Sequence, residues 1–194
     1  QLSGGTVTLG VNSTLAGITT LRQGATLDIN AAGASQTVGI GALQGAGTIT
    51  NSGGGSSTAG TISFGRATST GTTIFSGILQ DGSGVLNVAI DGTTARTQAL
   101  LGLSTYTGVT TIATGAQVTV NALANGGVAG GIGQSTSDAA NLVFNGSTPT
   151  LIYQGNNLVG SLNLGSNSAT TDRLFTIAGA GAVLASTASS NNAI

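Results

Sequence analysis

The 194-residue chain contains no cysteine, histidine, lysine, glutamate, methionine or tryptophan, and its one proline is Pro149. Without histidine and cysteine it lacks the usual ligands for zinc or iron. Without histidine, lysine or glutamate, its many serines and threonines have no activating base, which argues against a nucleophilic triad. The Asp-rich calcium loop, the Gly-Gly-x-Gly-x-Asp repeat and the glycine-rich phosphate loops are also missing. The expectation is a protein with no metal, no cofactor and no enzymatic activity.

Charge is nearly absent as well. Four arginines (Arg22, Arg66, Arg96, Arg173) lie far apart among five aspartates, for a formal net charge of -1. Nucleic-acid binding needs clustered cations to neutralise phosphate, so no nucleic-acid partner is expected. No run reaches the roughly 18 to 20 apolar residues of a membrane span. The opening "QLSGGTVTLG" has neither the basic nor the apolar region of a signal peptide. The missing cysteines fit a chain exported unfolded through a narrow pore, where an early disulfide would obstruct passage. With no initiator methionine, the chain reads as a piece of something longer.

What is present is apolar alternation. Disorder goes with low hydrophobicity and high net charge, yet 39% of this chain is hydrophobic. Runs such as "ATLDIN", "TISF", "VLNVAI", "QVTVN", "NLVFN" and "SLNLG" place Leu27/Ile29, Ile62/Phe64, Leu86/Val88/Ile90, Val118/Val120, Leu142/Phe144 and Leu162/Leu164 two apart. Each set therefore lies on one face of a strand. Phe64, Phe75, Phe144 and Phe175 are expected in the core. Glycine turns separate the runs, and the stretches 51–60 and 125–138 read as loops projecting from a regular body that spans 1–194.

"LAGITTLRQGATLDINA" (Leu15 to Ala31) returns 91 residues later as "YTGVTTIATGAQVTVNA" (Tyr106 to Ala122). Each copy is a strand, a glycine turn and a strand, the unit that stacks in a solenoid. The pattern gives an all-β fold and favours a parallel β-helix (solenoid), with an antiparallel sandwich or barrel as the alternative. Asn30, Asn121, Asn145 and Asn163 sit at turns, with stacked ladders as a second reading.

The stretch "STYTGVTTIATGAQVTV" resembles the autotransporter-associated β-strand repeat, also called the passenger-associated transport repeat. Agreement lies in Thr105, Tyr106, Thr107, Gly108, Thr110, Thr111, Ile112 and Gly115. Ser104, Val109 and Val118 depart from the usual Asn, Gly and Leu. The resemblance implies a right-handed parallel β-helix on the surface of a Gram-negative bacterium, exported as an adhesin-like type V passenger. Its partners would be a host or abiotic surface, or sibling passengers, together with the protein's own outer-membrane β-barrel translocator. Thr105, Tyr106, Thr107, Gly108, Thr110, Thr111 and Gly115 would be structural.

Two alternatives to an adhesive segment stand beside it, a passive stalk spacer with the binding tip elsewhere and a polysaccharide-acting enzyme. A β-helical polysaccharide-acting enzyme would need a carboxylate pair about 5 to 10 Å apart. The nearest pair, Asp81 and Asp91, is followed in each case by glycine and reads as turns. Tyr106 and Tyr153 could stack on sugars, but Tyr106 reads first as part of the repeat. The threonine pairs recur too irregularly for an ice-matching plane. The sequons at Asn12 and Asn145 are incidental in a bacterial protein.

Overall fold

The computed structural model describes residues 1–9, 12–31, 36–55, 58–65, 70–92, 96–155 and 169–187. Leu162, Leu164, Asn163 and Arg66 lie outside them. The described chain is a parallel β-helix whose sixteen strands form three faces. The first face uses the beginning of β2 (Thr14–Leu21) and of β4 (Thr37–Gly45). It continues with β6 (Ala59–Phe64), β9 (Val85–Ile90), β11 (Thr110–Ala113), β13 (Leu142–Asn145) and β15 (Thr176–Ile177). The second face takes the ends of β2 and β4, then β7 (Gly71–Phe75), β10 (Arg96–Leu100), β12 (Gln117–Val120), β14 (Thr150–Tyr153) and β16 (Val183–Ser186). The third holds β1 (Gly5–Thr8), β3 (Ala25–Asp28), β5 (Thr48–Thr50) and β8 (Ile78–Leu79). The one helical element among the described residues is a 3₁₀ turn, Ala139–Asn141.

Every strand pairing is parallel. Within these strand pairs, partners in successive coils are as little as 20 residues apart (Gly5 with Ala25) and as much as 33 (Gln117 with Thr150). Period-2 alternation sends every second side chain inward, and parallel stacking in register turns these into columns. On the first face the column runs Leu15, Ile40, Phe64, Ile90, Ile112, Phe144, Ile177. Its five middle members are at most 2% exposed. Each such side chain contributes about 1.5–3 kcal/mol by leaving water, so stability accrues coil by coil.

The paired residues expected inside are buried wherever they are described: Leu27/Ile29, Ile62/Phe64, Leu86/Val88/Ile90, Val118/Val120 and Leu142/Phe144. Phe175 is a correction. It is 40% exposed, because it lies just before β15, which pairs only with β13. It packs edge-on against Phe144 with ring centroids 5.5 Å apart.

The two copies of the 17-residue phrase share a local device but not a place in the coil. In both, a tight turn closes with the same bond, Ala25 N–H to Arg22 O and Ala116 N–H to Ala113 O, each 3.0 Å. Gly24 (φ +82) and Gly115 (φ +70) supply the left-handed backbone. The first copy, however, turns from the second face to the third, whereas the second copy turns from the first face to the second. The repeat therefore specifies a corner, and which corner is set by the lengths of chain between.

The asparagines do not form one ladder. Asn30 follows β3 on the third face, Asn121 follows β12 on the second, and Asn145 ends β13 on the first. Asn30 adopts φ +42, a turn role. Glycines do stack, at the corner between the second and third faces. A Cβ on Gly77 would lie 1.9 Å from Gly47 O, and one on Gly102 would lie 1.7 Å from Gly77 O. Successive coils approach there too closely for any side chain.

Candidate functional site

Tyr106 is fully buried. Its hydroxyl lies 2.7 Å from Thr110 Oγ1, and Thr110 is the one polar member of the inward column Val38, Ile62, Val88, Thr110, Leu142. Burial pushes the tyrosine hydroxyl well above its ordinary range, against the opposing pull of the Thr110 bond and the Arg173 charge. The tyrosine thus satisfies a polar group inside the rod and presents nothing to solvent. Its neighbours in the repeat hold the third face together. Thr105 N–H donates to Leu79 O at 2.9 Å. The Thr107 hydroxyl and N–H donate to Asp81 Oδ2 at 2.6 and 3.1 Å. Gly108 passes so near Leu86 O that a Cβ would lie 2.3 Å away. Thr111 is half-buried on β11, pointing outward beside Ile112, and Gly115 makes the corner. Tyr153 is half-buried against the core.

The carboxylates act as clasps between coils. Asp81 accepts from Leu86 N–H at 2.8 Å as well as from Thr107. Asp91 accepts from the Ser63 hydroxyl. Asp28 accepts from Ser52 N–H at 2.9 Å, from Asn30 N–H at 3.0 Å and from the Ser52 hydroxyl. Asp81 is held at the start of β9 and Asp91 follows its end. At about 3.3 Å per strand residue they stand on the order of 15 Å apart, well beyond the spacing that acid and base catalysis across one sugar linkage requires. No three His, Cys, Asp or Glu residues converge among the described residues.

Three buried polar groups carry roles that the sequence did not announce. Asn51, fully buried, accepts from Ala31 N–H at 2.8 Å and donates to Val85 O at 2.9 Å, joining three levels of the rod. Gln98 does the same on the second face, reaching Leu43 and Thr73. Arg173 donates to Ala124 O (3.0 Å), Ser135 Oγ (3.0 Å) and Gly133 O (2.8 Å). Burial lowers the pKa of this guanidinium, while Tyr106 and Asp172 favour its charge.

Arg173 ties down the excursion that follows β12. Of its residues, Asn125, Gly127 and Val128 are exposed, while Gly130, Gly131, Ile132, Gly133 and Ser135 are buried. The excursion turns back to bridge Ser104 with Gly130 and closes the third face over Tyr106, whose carbonyl accepts from Gln134 N–H at 2.8 Å. In the shorter stretch 51–55, Asn51 and Gly53 are buried, while Ser52, Gly54 and Gly55 face solvent.

Scattered apolar groups such as Leu103 and Val128 stand exposed on the outside among small polar residues. The molecule is thus of the parallel β-helical class. It is similar to a segment of the adhesin BmaC autotransporter of Brucella suis biovar 1 (strain 1330), at 34% identity over 189 residues. That match takes in 93% of this chain and 5% of the relative, so the chain spans about one-twentieth of the protein it resembles. No protein-family model matches the chain, and no solved structure matches it.

Proposed function

We propose that this chain is a length of rod from the passenger of a bacterial surface autotransporter, displayed outside a Gram-negative cell and working as an adhesin-like segment. The observation that carries the reading is the match to an adhesin autotransporter along nearly the whole chain, in a fold that repeats coil upon coil. Low charge and a hydroxyl-rich exterior favour weak contacts, made many at a time through hydrogen bonds and apolar area. The partner is a host surface, an abiotic surface or a sibling passenger. The protein's own outer-membrane β-barrel would be the translocator.

Each coil pairs only with its neighbours, so a chain emerging end first can add coils one by one, and stacked coils resist sliding back. The Tyr-Thr-Gly phrase would serve export and folding by closing a coil. The burial of Tyr106 favours a second reading, a spacer that holds a binding tip located elsewhere. Beads coated with the chain, tested for retention on extracellular matrix, plastic and beads bearing the same chain, separate the two. Saturable retention above uncoated beads supports adhesion, and retention at background assigns the chain to the stalk.

A further inference from the structure

The sequence holds two Asn-Gly dipeptides, Asn125-Gly126 and Asn145-Gly146. In such a pair the glycine nitrogen can attack the preceding side-chain amide without a Cβ in the way. The fold treats the two differently. Gly126 N–H donates to Asp172 Oδ1 at 2.8 Å, and Asp172 N–H donates to Asn125 Oδ1 at 3.1 Å. Attacking nitrogen and attacked amide are each held by the same residue. A carboxylate is far too weak a base to remove a backbone amide proton, so this clasp restrains the pair.

Asn145 has no such restraint. It is exposed at the end of β13, and its side chain makes no hydrogen bond among the described residues. Gly146 follows at φ +105 and opens the bend. Glycine is enforced there, because a Cβ would lie 1.9 Å from Thr114 Oγ1. The same close approach that builds the corner therefore installs the reactive dipeptide.

We propose that Asn145 is a site of spontaneous deamidation and that Asn125 is protected from it. Gly146 N forms a bond to Asn145 Cγ. The Cγ–N bond of the side-chain amide breaks, and ammonia departs with the proton from Gly146 N, leaving a five-membered succinimide. Water then opens either carbonyl to give aspartate or isoaspartate. Each event adds one negative charge to a nearly neutral surface, and isoaspartate also lengthens the backbone beside Ala113, its partner on β11.

The test is to hold the folded chain at mildly alkaline pH and physiological temperature and locate deamidation by fragment mass spectrometry. The same time course in denaturant removes the structural difference. Conversion at Asn145 at least about tenfold faster than at Asn125 is expected in the folded chain, the ratio set by opening one hydrogen bond to a charged group. Comparable rates at the two sites are expected in the unfolded chain. Asp172→Ala should release Asn125 and leave Asn145 unchanged. An intact Asn145, equal rates in the folded chain, or slower conversion of Asn125 in Asp172→Ala would overturn the proposal.

Discussion

Gln98 and Leu43, 55 residues apart in sequence, are joined as if by a backbone ladder: Leu43 N–H donates to Gln98 Oε1 at 3.2 Å, and Gln98 Nε2 donates to Leu43 O at 2.9 Å. Strands β4 and β7 pair only at Gly45 and Phe75. The amide of Gln98 reaches past β7, collecting the Thr73 hydroxyl at 3.0 Å on the way, and supplies the bonds that the two strands do not make to each other. It stands inside the rod, in the column that continues to Val118 and Leu151.

Gln98→Met keeps the length of the side chain and strips the amide. Leu43 N–H, Leu43 O and the Thr73 hydroxyl then lose buried partners, at about 1–3 kcal/mol for each group left unsatisfied. The expected loss is at least about 3 kcal/mol, read as a lower urea midpoint at unchanged slope. Thr61→Ala, on the outward side of β6, should shift stability by no more than about 0.5 kcal/mol.

Gly77→Ala tests the glycine stack. The new methyl would meet Gly47 O and the Phe75 ring, forcing neighbouring coils apart at a corner that cannot relax without breaking ladder bonds. Overpacking of this kind costs about 1–3 kcal/mol or more. Gly4→Ala, where nothing lies within 4 Å, is the matched control and should leave the midpoint in place.

Alkali should unfold the protein through Tyr106. Its hydroxyl holds its proton more tightly in the folded state than in the unfolded one, where the ordinary value is 10.0. Stability is therefore complete below that pH and falls as pH rises above it, by about 1.4 kcal/mol per pH unit for one proton. Tyr106→Phe should cost about 1 kcal/mol at neutral pH through the lost Thr110 bond. It should also flatten the alkaline limb, and denaturation midpoints measured across pH would show both effects.

Arg173→Met should free the excursion after β12 while coils far from it stay folded. Ala124 O, Gly133 O and Ser135 lose their shared donor, so elastase should cut near Val128 at a concentration that leaves the parent chain whole. Hydrogen exchange should rise at Gly131 and Gln134 and stay unchanged in β6 and β9. Uniform loosening along the rod would contradict a local latch.

Much of this architecture was legible in the chain. Alternation identified Ile62/Phe64 and Val118/Val120 as inward pairs because strand periodicity is a local property. The glycine corner at Gly24 and Gly115 was legible for the same reason. Which corner each one builds was not, because successive coils differ in length and the chain carries no marker of face. Gln98, Asn51 and Arg173 stayed hidden too. Their partners lie coils away, and a lone polar residue in an alternating run looks the same whether it points to water or bridges the interior. Phe175 misled because hydrophobicity predicts burial only where a neighbouring coil covers it.

The unequal coils separate two tolerances in one molecule. Along the faces, one inserted residue would invert every side chain beyond it in its strand, whereas the corners already absorb differences of about a dozen residues. The one register shift among the described strand pairs falls between Leu15 and Ile18, where β2 passes from the first face to the second. Such a rod can accept foreign segments at its bends, as a rail accepts fittings, and its profile can diversify while its shaft remains the same.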